Sequence, residues 1–251
     1  DLALERTIVD TIKDFGYTLK QFYVASAELF GVLGALDSFP ISDEQKSAIA
    51  PMLYKPVKTT EGDIYTIAAE RVLEKYKTGD GYKKVPTVIV ARGDLGVDAL
   101  ASVAYARTLQ IPILLTKPKE IPEATRNTLD KLNPDSVIVI GGPVAVSDEV
   151  AAELSASRRV GGENRYDTAA FLADVLIATR GADTVVITDG EEPAPEAVML
   201  AVKYNAPILF TNGGELPPET EAALKKHRDK FIRIELVGVS QEAEARVNAV
   251  R

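Results

Sequence analysis

The sequence predicts an α/β protein made of tandem Rossmann-like repeat units, each a parallel sheet covered by helices in a three-layer arrangement. Three observations predict it. Short, continuously apolar runs such as Thr87-Val88-Ile89-Val90-Ala91 and Thr184-Val185-Val186-Ile187-Thr188 alternate with longer stretches of helical period. These runs lack the apolar–polar alternation of a sheet wetted on one face, so they belong to sheets buried on both. The chain also repeats itself: Pro112 to Pro207 is 207 − 112 = 95 residues, Gly141 to Gly238 is 238 − 141 = 97, and Glu61 to Glu163 is 163 − 61 = 102. A period of that length is a small α/β unit, far longer than a solenoid repeat.

Residues 4–15 carry one helical stripe, Leu4, Ile8 and Ile12 with Phe15 following, stopped by Gly16; residues 22–25 then read as a short strand. A helix leads into a strand in the same way at 121–125 before 137–140, and at 216–220 before 232–237, with proline near the first helical position. The chain therefore begins halfway through a unit. Ile41-Ser42-Asp43-Glu44 echoes Val146-Ser147-Asp148-Glu149, each serine suited to cap a helix whose positive end the acids favour. Between the strand at 22–25 and the Ser42 cap, residues 29–39 are rich in apolar side chains and read either as a helix or as an interface loop. The second unit gives a helix at 65–76, a loop holding Gly79 and Gly81, a strand at 87–91 and a helix at 98–109. A strand at 113–116, a helix at 122–132, a strand at 137–140 and a last helix from Ser147 complete it. The third unit repeats this order over 161–250. The expected division is a partial first repeat at 1–57, a second at 58–160 and a third at 161–251, packed directly on one another because no low-complexity linker separates them.

Composition narrows the function. Of 251 residues, 46% are apolar and 26% charged, a folded composition. The net charge of −8 argues against general nucleic-acid binding, which needs a cationic face to displace counterions. With no cysteine there is no disulfide framework, thiolate metal site or thiol nucleophile. No apolar run approaches the roughly 20 residues of a membrane-spanning helix. The chain opens at Asp1 without a basic, apolar leader, as a mature or trimmed chain would.

Four motifs point further. Val160-Gly161-Gly162-Glu163-Asn164-Arg165-Tyr166-Asp167-Thr168-Ala169-Ala170 closely resembles the opening signature of the cell-wall-binding repeat type 2 family. Ile89-Val90-Ala91-Arg92-Gly93-Asp94 followed by Asp98-Ala99-Leu100-Ala101, Pro112-Ile113-Leu114-Leu115-Thr116, and Val139-Ile140-Gly141-Gly142-Pro143-Val144-Ala145-Val146-Ser147 resemble its later elements, in the family's order. The resemblance implies tandem modules packed about a pseudo-threefold axis, exported to the cell surface, that attach a surface protein non-covalently to an anionic wall polymer. It also makes the ends of Ile113, Leu114, Leu115 with Thr116 and Lys117, and of Ile208, Leu209, Phe210 with Thr211, the expected binding rim, beside Arg165 and Tyr166. Three departures stand out. The first unit lacks its first half; Asp63-Ile64-Tyr65-Thr66 stands where Arg165-Tyr166-Asp167-Thr168 is found, losing the arginine; and Pro195-Glu196-Ala197-Val198 replaces Val97-Asp98-Ala99-Leu100.

Each candidate residue also has a plainer reading. Arg165 suits bidentate anion binding, or pairs with a nearby carboxylate while Tyr166 packs at a unit interface. Thr168 and Asp98 read as helix caps. The apolar strands read first as sheet interior, although ligands of open α/β sheets lie outside the carboxyl ends of strands. Gly141-Gly142 reads as a tight turn rather than a phosphate cradle, with no G-x-G-x-x-G or Walker sequence around it. Asp94, Asp98, Asp189, Glu191 and Glu192 read as solvated loop acids, and the lone His227 as a surface residue at a charged helix end. The expectation is a non-enzymatic module with no cofactor and no metal, bound to a cell-wall polymer or to surface-layer subunits. An upstream segment or a partner chain would complete the first repeat. A nucleotide- or phosphosugar-processing enzyme using Gly141-Gly142 with Asp94 and Asp98 is the alternative, and a purely structural surface-layer spacer is another.

Overall fold

Asp63 accepts the Thr66 N–H at 2.8 Å and so caps α1 (Ile64–Tyr76), the first element of a computed structural model that describes residues 63–250. The expected helix at 4–15, strand at 22–25, Ser42 cap, apolar stretch at 29–39 and Thr60-Glu61-Gly62 lie outside the described residues. A small antiparallel hairpin follows α1, β1 (Lys77–Thr78) with β2 (Gly81–Tyr82), where a loop was expected. Then come β3 (Thr87–Arg92), α2 (Val97–Leu109), β4 (Ile113–Thr116), α3 (Glu123–Leu132), β5 (Ser136–Ile140), α4 (Asp148–Glu153) and β6 (Arg158–Val160). All four of these strands are parallel, in the order β4-β3-β5-β6. The strand β6 is a finding, because its residues Arg158-Arg159-Val160 are too polar to read as buried. Its register, Ile138 beside Arg158 and Ile140 beside Val160, comes from the neighbouring strand.

The second half reuses the plan with α5 (Arg165–Arg180), β7 (Thr184–Asp189), α6 (Pro195–Tyr204), β8 (Ile208–Thr211), α7 (Pro218–Lys226), β9 (Arg233–Leu236) and α8 (Gln241–Val250). Its sheet is parallel in the order β8-β7-β9. In β3, Ile89 and Ala91 join one apolar cluster and Val88 and Val90 another, so the sheet is buried on both faces. Period-two alternation vanishes from such a strand because neither side chain direction meets water.

Matching details recur in both halves. Gly93 donates to the Thr116 carbonyl at 3.0 Å and Gly190 to that of Thr211 at 2.8 Å, each tying the first strand's end to the edge strand. The buried hydroxyls of Thr125 and Thr220 donate to the carbonyls of Leu115 (2.6 Å) and Phe210 (2.7 Å), satisfying outer carbonyls that no further strand pairs. Asn164 caps α5 as Asp63 caps α1, and Tyr65 and Tyr166 lie against Gly93 and Gly190. This aligns Asp63 with Asn164 and Ile64 with Arg165, one position from the register expected from sequence. Tyrosine thus falls on tyrosine, and the arginine's place is taken by isoleucine.

The two sheets meet on α2, which packs against α5 and α6 as well as its own sheet. Val97, Ala99, Leu100, Ala101, Ser102, Val103, Ala104, Tyr105 and Ala106 are all buried. A helix enclosed on nearly every side shows no single apolar stripe, and its alanines let neighbouring backbones approach. Enlarging one would overpack the contact at a cost of about 1–3 kcal/mol.

Candidate functional site

Parallel strands place their carboxyl ends together, and here the ends of β3, β5 and β6 open on a cavity of about 240 Å³. The chain leaves β3 for β4 on one side and returns to β5 on the other, so the cavity lies at the reversal in strand order, where open α/β sheets bind ligands. Arg92, Asp98, Gly142, Gly162, Asn164 and Arg165 contribute to its wall. The first turns of α2 and α5 both border it, bringing two positive helix ends to one place. A second hollow of about 370 Å³, lined by Arg126, Asn133, Ser136 and Glu153, borders the start of β5.

Glycine makes the floor. Gly141 has φ +101, a conformation that L side chains avoid. A Cβ there would stand 2.6 Å from Asp98 Oδ2; one on Gly142 would strike the Gly162 carbonyl, and one on Gly161 the Gly141 backbone. The loops after β5 and β6 therefore run backbone against backbone. Arg159, from β6, holds this turn by donating to the Gly141 carbonyl at 2.8 Å and to Asp148 at 3.0 Å. Sequence reasoning passed over Arg159, since nothing in a three-residue polar stretch says which loop its side chain will reach.

Among the described residues the cavity's two guanidinium groups are occupied, and of its two carboxylates Glu163 is exposed while Asp98 is half-buried. Arg92 grips Asp94 with two bonds of 2.5 and 2.8 Å, a fork that holds the Asp94 carboxyl below its usual range and raises the guanidinium. Arg165 donates to the Gly190 carbonyl at 2.5 Å and pairs with Glu191 at 3.1 Å, so the expected carboxylate partner exists, while its side chain still borders the cavity. Asp98 is different. Its Oδ1 is shielded from solvent and has no hydrogen-bond partner among the described residues. Desolvation lifts its pKa from 3.8 to about 6, against the pull of Arg165 and Arg92.

Several expectations are corrected. Asp98 is neither a cap nor a solvated loop acid; α2 is preceded by Gly96 with no side-chain cap, and Asp98 sits in its first turn. Thr168 lies one turn inside α5, where its hydroxyl donates to the Asn164 carbonyl at 3.1 Å and accepts from Gly162 N–H at 3.3 Å; Asn164 is the cap. Asp189 is no free acid either: it accepts from the N–H groups of Glu191, Glu192 and Gly213 at 2.7–3.0 Å and ties the loops after β7 and β8 together. His227 does end α7, but it is only 8% exposed, 2.5 Å from Asp174 and edge-on to Phe231. A charged neighbourhood in sequence concealed a side chain that turns inward.

Of the expected rim, Leu114, Leu115, Thr116, Ile208, Leu209, Phe210 and Thr211 are buried in edge strands. Ile113 is half-buried, and Lys117, also half-buried, pairs with Glu120 at 3.2 Å. Tyr166 is half-buried against Gly190, its phenol pushed up by burial. Only Arg165 of this set borders the cavity. Among the described residues no three acids or histidines gather as a metal site, and no helix is long and apolar enough to cross a membrane.

The family model for Cell wall binding domain 2 matches the chain twice, over residues 61–151 and 159–245. This chain belongs to the Cell wall binding domain 2 family. The cavity is shared between the matches, with Arg92, Asp98 and Gly142 from the first and Gly162, Asn164 and Arg165 from the second. Among relatives, the N-acetylmuramoyl-L-alanine amidase LytC of Bacillus subtilis (strain 168) is 31% identical over 150 residues, covering 57% of this chain and 30% of that protein. Cwp8 from Clostridium difficile has 25% identity and a TM-score of 0.60 over 83% of this chain and 37% of that one. Cwp6 from Clostridium difficile shares the fold, with a TM-score of 0.61 at 23% identity over 75% of this chain and 31% of that one. The chain thus spans about a third of the length of each. As a Cell wall binding domain 2 protein it is a wall-binding module, and its place is the cell surface or wall.

Proposed function

We propose that this chain attaches a larger surface protein non-covalently to an anionic cell-wall polymer and catalyses no reaction. The polymer is seated at the junction cavity shared by the two family repeats. Arg165 meets the polymer's negative groups, Tyr166, packed on Gly190, fixes the helix start that carries it, and residues 113–117 and 208–211 back the site from the edge strands without lining the cavity. One observation carries this reading: the two repeats jointly build a cavity bordered by two guanidinium groups, two helix starts and glycine backbone. The organisation proposed with it is tandem three-layer Rossmann-like units at 1–57, 58–160 and 161–251 about a pseudo-threefold axis, an upstream segment or partner chain completing the first. Similar units add weak contacts through effective concentration, so attachment is stronger than any single site.

Sedimentation with purified walls tests it. Arg165→Ala is expected to lower retention about tenfold, the scale of one charge-assisted hydrogen bond, while the variant stays folded at the assay temperature. Wild-type retention by that variant would place the polymer elsewhere.

A further inference from the structure

The cavity has two positive groups that already have partners, an exposed carboxylate, Glu163, and a half-buried one, Asp98. Arg92 is committed to Asp94, and Arg165 to the Gly190 carbonyl and Glu191. Asp98 lines the same cavity, its Oδ1 buried without a hydrogen bond among the described residues, and its Oδ2 faces the bare Cα of Gly141. Any side chain at 141 would fill the space beside that carboxylate. A bare anion entering here meets a like charge with an oxygen that no hydrogen bond satisfies. A ligand carrying a donor next to its anion would instead give the carboxylate its missing partner while the guanidinium groups take the negative charge.

Resting on the reading that the polymer occupies this cavity, we infer that Asp98 is a specificity-determining residue that selects ligands bearing a hydrogen-bond donor, hydroxyl or ammonium, within a few bonds of their negative group. Sites built to satisfy a polar group discriminate against analogues that leave it unpaired. The selectivity comes from the stretch of the first family match, 61–151, although the arginine at the rim belongs to the second, 159–245.

Three phosphomonoesters of similar size separate the contributions: glycerol phosphate carries hydroxyl donors, ethanolamine phosphate an ammonium, and propyl phosphate neither. Each is titrated into the full chain at neutral pH, following the amide resonances of Gly142, Gly162 and Arg165. The expected result is that one or both donor-bearing esters bind about tenfold tighter than propyl phosphate; which one does so identifies the donor. In Asp98→Ala the preference should shrink to within about twofold, and propyl phosphate should bind more tightly than to wild type. Asp98→Asn, which keeps the side chain's shape, should lose most of any preference for the ammonium ester and serves if the alanine variant does not fold. Equal binding of all three esters by the wild type, with cavity resonances shifting, overturns the role of Asp98 and leaves the cavity as the anion site. A preference that survives both substitutions overturns it too. If no ester moves the cavity resonances, the reading of the cavity fails, and this inference with it.

Discussion

Asp98→Asn should make the protein more stable, and most of all at neutral pH. The native carboxyl is raised from 3.8 to about 6 by desolvation, so the folded state holds its proton more tightly than the unfolded chain. Stability then falls as pH rises between those two values, because the native state binds more protons throughout that window. Below about pH 3.8 both states are protonated and the group costs nothing. Above about pH 6 the full penalty is present: a shift of roughly two units at 1.36 kcal/mol each is about 3 kcal/mol. At pH 4.5 the same linkage leaves about 1 kcal/mol. Asparagine keeps the shape and removes the charge. Urea unfolding of both proteins should therefore show a gain of up to about 3 kcal/mol at pH 7.5, shrinking to about 1 kcal/mol or less at pH 4.5. A loss of stability at pH 7.5, or an identical difference at both values, would refute the reasoning. It would mean that Arg165 and Arg92 more than offset the desolvation of the carboxylate. Stability given up at a cavity wall is the pattern expected where function wants an unsatisfied group.

Further outcomes follow from the same contacts. Gly141→Ala should lower stability by at least about 2 kcal/mol, since it combines a left-handed φ with a Cβ pressed on Asp98; a melting curve that matches wild type would contradict this. Thr125→Val and Thr220→Val each leave a buried carbonyl unpaired and should cost about 1–3 kcal/mol, with the double variant additive by chemical denaturation. The Asp174 carboxyl is desolvated, which pushes it up, yet bonds from Lys226 and His227 hold it below its usual range. Its contribution is accordingly present above about pH 4 and lost in acid, so Asp174→Asn should destabilise the protein at pH 7 and have little effect near pH 3. Arg159→Ala should loosen the Gly141-Gly142 turn and speed amide exchange there while leaving β3 protected.

The order of elements, the parallel character of the sheets and the kinship of the two halves are written locally. Apolar runs such as Val137-Ile138-Val139-Ile140 need only a count of neighbours to be recognised, and Ser147 caps α4 by reaching three residues ahead. Arg165 was legible as a candidate because a guanidinium at a loop-to-helix boundary is chemically conspicuous. Other facts depend on elements distant in sequence coming together. Asp98 Oδ1 lacks a partner among the described residues because the turn after β5 sets bare Gly141 beside the carboxylate, and His227 is buried because Asp174, on another helix, draws it in. Arg158-Arg159-Val160 becomes a strand only because Ile138 to Ile140 offers it an edge. Hydrophobic periodicity is carried by each residue and its close neighbours in sequence. Desolvation and pairing are properties of the assembled surroundings, and the chain acquires them only when it folds.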